Sequence, residues 1–111
     1  MMRPVRFVFI LVILIVFAAL PVLSQTTGKI SGTVIDEDSG EPLPGANVIV
    51  EDTPMGAATS ENGSFFIINV PPGVYTVRIQ MIGYETLIIE NVRVSVNRTF
   101  NIEAQMQETV I

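Results

Sequence analysis

The 111-residue chain has no cysteine, no histidine and no tryptophan. Without cysteine no disulfide can staple the fold, so a small domain must hold by its core alone. Without histidine and cysteine, the usual general base, the thiol nucleophile and the commonest zinc ligands are missing. Lys29 and scattered serines offer no activated nucleophile. The inventory predicts a non-enzyme, with no catalytic, cofactor-binding or metal-ligating residue to assign and no cofactor. Positive charge is also scarce. Beyond residue 24, Lys29, Arg78, Arg93 and Arg98 stand against eleven acids, a net charge of −7. Such a surface does not attract phosphate backbones, so no nucleic-acid partner is expected.

Aromatic rings are few. Beyond residue 24 they are Phe65, Phe66, Tyr75, Tyr84 and Phe100. Tyr75 and Phe100 fall on apolar parities, which predicts core positions. Phe65 and Phe66 are adjacent and must point to opposite faces of a strand, which leaves room for one exposed ring. A sugar platform usually needs more flat aromatic surface than that, so a glycan, bound by a stand-alone carbohydrate-binding module, is kept only as the alternative.

What is present begins with MMRPVR, carrying Arg3 and Arg6, followed by fourteen uncharged residues from Phe7 to Leu20. Spanning a bilayer takes about 20 apolar residues, so the run is short for a membrane helix. The basic lead, the length and the small residues Val22 and Ser24 fit a cleavable signal helix over residues 1–24. An uncleaved anchor reaching Leu23 is the alternative. No cysteine follows the run, which argues against a lipid anchor. Residues 25–27 then form a short linker, and the mature part is expected not to span a membrane.

From Gly28 onward short alternating segments follow one another. Ile30 and Val34 share a parity in GKISGTVID, as do Ala46, Val48 and Val50 in ANVIVE. The segment AATS reads as a short strand, and Glu61-Asn62-Gly63 as a tight hairpin turn, because Asn-Gly accepts positive φ angles. SFFIINV (Ser64 to Val70) is apolar on both parities and predicts a central strand covered on both sides. After Pro71-Pro72-Gly73, Tyr75, Val77, Ile79 and Met81 alternate with Thr76, Arg78 and Gln80, the cleanest period of two in the chain. Gly83 allows a turn or bulge, and Tyr84 is expected to pack as a corner with its hydroxyl on a backbone group. YETLIIE, VRVSV and TFNIEAQM read as three further strands. Seven or eight short strands at such spacing predict an all-β fold, a seven- to eight-stranded antiparallel Greek-key β-sandwich over residues 28–106.

Two features invite a ligand reading. Asp36, Asp38 and Glu41 sit at offsets that resemble a calcium loop, but a strand precedes them and a proline-rich turn follows, so a solvated turn in which Asp38 and Ser39 bond nearby backbone is preferred. Asn62-Gly63-Ser64 and Asn97-Arg98-Thr99 match the N-glycosylation pattern, and turn formation accounts for both.

Gly28 to Asp36 (G-x-I-x-G-x-V-x-D), SGEPLPGANVIVEDT (Ser39 to Thr53) and TSENGSFFIINVPPGVYTVRIQMIGYET (Thr59 to Thr86) together resemble the carboxypeptidase regulatory-like domain. The resemblance covers Gly28 to Met106. It implies a transthyretin-like sandwich, grouped with carbohydrate-binding-like folds, that carries no peptidase machinery. It further implies an amino-terminal extension of a TonB-dependent outer-membrane receptor, or a stand-alone copy of one, in the periplasm or outer membrane. Its expected service is scaffolding or docking to proteins of the uptake machinery, with an exposed sheet edge as the contact. Residues 107–111 read as a tail cut short before a plug region.

Overall fold

The computed structural model describes residues 26–110, so the signal helix expected over residues 1–24 lies outside the described residues. Seven strands follow in order: β1 (Gly28–Asp36), β2 (Asn47–Val50), β3 (Gly56–Ala58), β4 (Ser64–Val70), β5 (Gly73–Gln80), β6 (Leu87–Val94) and β7 (Thr99–Met106). They form two facing sheets, one ordered β4-β1-β7 and the other β3-β2-β5-β6. The chain crosses between sheets at β1→β2, β3→β4, β4→β5 and β6→β7, so only β2–β3 and β5–β6 are sequential paired neighbours.

The period of two becomes two inner faces. Ile30 and Val34 of β1, Phe65, Ile67 and Val70 of β4, and Ile102, Ala104 and Met106 of β7 are buried from one side. Val48 and Val50 of β2, Val77 and Ile79 of β5, and Val92 and Val94 of β6 meet them from the other. Burying each such side chain contributes roughly 1.5–3 kcal/mol against the chain entropy lost. Gly32 lies on the inward parity of β1, where a Cβ would run into the carbonyl of Ile102 and the ring of Phe65. Its missing side chain is the space that lets Phe65 lie against the central strand.

Four expectations change. SFFIINV is not a central strand but β4, an edge of its sheet. Its outward residues Phe66 and Ile68 are 71% and 59% exposed. An apolar run on both parities is what a doubly covered strand requires, but it does not itself supply the second cover. The sandwich is also not wholly antiparallel, since β1 and β7 pair in parallel from Lys29↔Thr99 to Asp36↔Met106. Parallel neighbours need a long connection, and the first and last strands have the rest of the domain between them.

The segments YETLIIE and VRVSV contribute to one strand rather than two. Tyr75 pairs with Val92 and Val77 with Ile89, so Glu90 and Asn91 of β6 stand opposite Thr76 alone. Asn91 takes a φ of 59° at this bulge, which keeps both halves of β6 facing the core. The Asn62-Gly63 turn does not close a hairpin of paired strands either, because it carries the chain from β3 into the other sheet. Of its residues only Gly63 has positive φ, at 76°. A side chain there would approach the Val34 carbonyl at 2.6 Å, so glycine is required on two counts.

Candidate interaction surface

The acidic run DEDSGE folds inward on one of its members. Asp36 ends β1 and is buried. Its Oδ1 accepts hydrogen bonds from the backbone N–H groups of Asp38 (2.9 Å) and Ser39 (3.0 Å). Its Oδ2 accepts one from the Tyr84 hydroxyl at 2.7 Å. The expected turn is present, with Asp36 rather than Asp38 as the side chain that organises it, while Ser39 Oγ accepts from the Glu41 N–H. With both carboxylate oxygens engaged by the chain itself, Asp36 acts as a structural clasp. Among the described residues no group of three or more potential metal-ligating side chains comes together.

Tyr84 therefore bonds a carboxylate instead of the expected backbone group. The tyrosine that does close a backbone corner is Tyr75, whose hydroxyl donates to the Pro71 carbonyl at 2.6 Å. This bond fixes the Pro71-Pro72-Gly73 entry into β5. Phe100 and Tyr75 are partly buried and pack against the core, close to where their parities put them.

The clasp shifts both of its partners. The Ser39 N–H, followed by the Tyr84 hydroxyl, holds the Asp36 carboxyl below its ordinary value. The bond to Asp36, together with burial and the nearby charges of Asp36 and Glu108, pushes Tyr84 up from 10.0 to about 12. A raised tyrosine pKa means that the folded state holds the proton more tightly. Its contribution to stability is complete below pH 10 and is lost as the pH climbs through about 12. The lowered Asp36 acts in the opposite sense, contributing above its ordinary value and fading as the pH falls below it. Chemical denaturation from pH 8 upward is expected to show the wild type losing stability across the 10–12 window, with Tyr84→Phe losing correspondingly less. A gap between the two proteins that stays constant through pH 12 would show that the clasp does not couple to folding.

On the outer face of the four-stranded sheet, Arg78 pairs with Glu51 across β5 and the end of β2. Both side chains are substantially exposed, so the pair is solvent-screened and adds little to stability.

The surface that stands out is made of sheet edges. Among the described residues both sheets are open, leaving β4, β7, β3 and β6 each with one side free of a neighbouring strand. Such edges present unpaired backbone donors and acceptors. β3 is only three residues long, too short to offer much. β4 is different. Phe66 pairs in register with Ser31, and Thr33 pairs with Ser64, so the cross-strand neighbours of the Phe66 ring are small and polar, while the exposed Ile68 follows it on the same face. Among the described residues the ring stays uncovered. A bulge at Ile68–Asn69, with Asn69 at a φ of 57°, ends the regular part of this edge. On the far side of the same sheet, a cleft of about 390 Å³ lies between β6 and β7, with Leu87, Ile89, Phe100 and Ile102 in its walls. The sequence pattern flagged the pair Phe65–Phe66 but not which ring faces out. The β6/β7 cleft gave no local signal, because its walls come from two strands that are not hydrogen-bonded to each other.

Fold and surface define a small all-β sandwich module with open edges. Residues 29–107 match the family profile of the Carboxypeptidase regulatory-like domain. The chain belongs to that family. Its sequence is 40% identical over 58 residues to the TonB-dependent receptor P39 of Formosa agariphila, covering 52% of this chain and 5% of the receptor. It is 34% identical over 58 residues to Bacillopeptidase F of Bacillus subtilis, covering 51% of this chain and 4% of that protein. The matched segment is thus a small fraction of either relative. Among solved structures, a chain of an interface mutant of the type II Cohesin-X-Dockerin complex from Acetivibrio cellulolyticus superposes with a TM-score of 0.64 at 27% identity. That match covers 73% of this chain and 58% of the other. The minor pilin GBS52 of Streptococcus agalactiae shares the fold at 15% identity and a TM-score of 0.59, over 78% of this chain and 47% of the pilin.

Proposed function

We propose that this domain is a non-catalytic interaction module of the bacterial envelope, exported by a signal peptide over residues 1–24 and docking to a protein through the β4 edge. The observation that carries the reading is β4 itself, an edge strand with Phe66 and Ile68 exposed on its outer face. A partner strand laid along it would gain main-chain hydrogen bonds and bury two apolar side chains. The similarity to a TonB-dependent receptor supports an outer-membrane uptake system as the setting, with this domain as the receptor's periplasmic extension. The likeness to a chain of a Cohesin-X-Dockerin complex supports protein contact as the kind of work such a sandwich does. The residue inventory, without histidine or cysteine, supports the absence of catalysis.

A photo-crosslinking residue placed at Phe66 in cells is expected to trap a protein of the outer-membrane uptake machinery, identifiable by mass spectrometry. The same residue at Asn101, on the exposed outer face of β7, is expected to trap none. Equal adducts from both positions, or adducts from neither, would sink the β4 assignment.

A further inference from the structure

The amino-terminal end of the sandwich holds a pocket that the edge-docking reading does not use. β1 and β7 both start there, and β4 finishes there. Thr27, Gly28, Lys29, Asn69, Asn97, Arg98 and Thr99 enclose about 240 Å³. Main-chain bonds set its frame: the Lys29 N–H donates to the Arg98 carbonyl at 3.0 Å, and the Asn97 N–H to the Thr27 carbonyl at 3.0 Å. The two segments carrying the cations are therefore fastened to each other by backbone, which leaves their side chains uncommitted to holding the fold.

Charge is distributed unevenly around this pocket. Lys29 and Arg98 are two of only four cations beyond residue 24, set among eleven acids. No carboxylate among the described residues lines the pocket. Among the described residues the one ion pair is Arg78–Glu51, so neither Lys29 nor Arg98 has an acidic partner. Four acids, Asp36, Asp38, Glu41 and Glu108, surround a second cavity at the opposite end. Of these two cavities, an anion is attracted to the one that carries the cations.

The rest of the lining narrows the ligand. An ammonium and a guanidinium only donate hydrogen bonds, so they select an anionic acceptor. The amides of Asn69 and Asn97 and the hydroxyls of Thr27 and Thr99 both donate and accept, which suits a ligand rich in hydroxyl groups. Asn69 and Asn97 are held at φ values of 57° and 58°, so the backbone fixes where their amides start. Among the described residues no aromatic or large aliphatic side chain lines the space. An acidic peptide would bring a backbone that seeks a strand edge, and this pocket lies at strand ends. We infer that the pocket formed by Lys29, Arg98, Asn69 and Asn97 binds a carboxylate-bearing saccharide, with the two cations on the carboxylate and the two amides on ring hydroxyls. The inference stands apart from the β4 docking reading, because its ligand is different and Phe66 and Ile68 are not among its contact residues.

The test is an NMR titration of the purified chain with trigalacturonate, with cellotriose as the neutral sugar, triglutamate as the acidic peptide and sodium phosphate as the free anion. Trigalacturonate is expected to shift the amides of residues 27–29, 69 and 97–99, and to bind at least about tenfold more tightly than the other three, the scale of charge-assisted hydrogen bonds. Affinity is expected to fall as salt is raised. The double variant Lys29→Gln/Arg98→Gln is expected to lose that advantage while its melting curve matches the parent, since both side chains are exposed. Cellotriose binding as well as trigalacturonate would overturn the role of charge. Triglutamate or phosphate binding as well would overturn the saccharide, and a double variant with unchanged affinity, or no shifts at all with trigalacturonate, would overturn the site.

Discussion

Ile79→Asp is expected to yield a chain with no cooperative thermal transition, while the adjacent Gln80→Asp melts close to the parent. Ile79 is fully buried in the middle of the four-stranded sheet, with Val48 beside it on β2 and Leu87 beside it on β6. An aspartate at that point either carries a charge into the core, costing several kcal/mol, or is neutralised by a steep rise in its pKa, which moves the same cost into proton uptake. The substitution also removes the apolar burial of the isoleucine. Domains of this kind are typically stable by about 5–15 kcal/mol, and a short chain without a disulfide belongs toward the low end. The combined loss is comparable with the whole. Gln80, one residue on, points outward, pairs with Asn47 and is only partly buried, so a charge there stays in water. Circular dichroism melts of the two variants are the measurement, and matching curves would mean that the faces of β5 are assigned the wrong way round.

The second large effect separates the two neighbouring phenylalanines. Phe65→Ala is expected to cost about 3–5 kcal/mol in urea denaturation, the range for emptying a buried aromatic site. Phe66→Ala is expected to stay within about 0.5 kcal/mol of the parent. Phe65 is among the largest fully buried side chains. Its ring fills the space that Gly32 leaves on the central strand β1, and the Ile102 backbone closes that space from the β7 side. The hole left by alanine is walled by main chain on both sides and cannot readily collapse. Phe66 has already lost little by staying in water. Similar costs for both substitutions would show that β4 is covered on its outer face, which would also remove the basis for docking there.

Much of the architecture was legible from residue order. The parities of Val48 and Val50, of Val77 and Ile79, and of Ile102, Ala104 and Met106 all became inner faces. Period-two alternation is a local property: it records which side of a strand meets the core without reference to any partner. Turn chemistry was local too, and Gly63 and Gly83 take the positive φ angles that their settings require. The resemblance carried by Gly28 to Thr86 pointed to the family that the profile match over residues 29–107 bears out.

Features that depend on which strands lie side by side were not legible. Two alternating segments do not announce that a bulge at Asn91 joins them, because the bulge is defined by the pairing with β5. Tyr84 gave no sign that its partner would be Asp36, 48 residues away, since that bond exists only once β1 and the Tyr84 turn are brought together.

By itself the sequence determined an all-β chain of short strands, the inward face of nearly every one of them, and a residue inventory poor in catalytic groups. Only the tertiary structure decided that SFFIINV is an edge with Phe66 uncovered, that β1 and β7 run in parallel, and that Lys29, Asn69 and Arg98 meet around one pocket. The division follows the physics of strands. Alternation is encoded every second residue along the chain, whereas strand neighbours are chosen by the packing of the whole sandwich, across separations on which local pattern is silent.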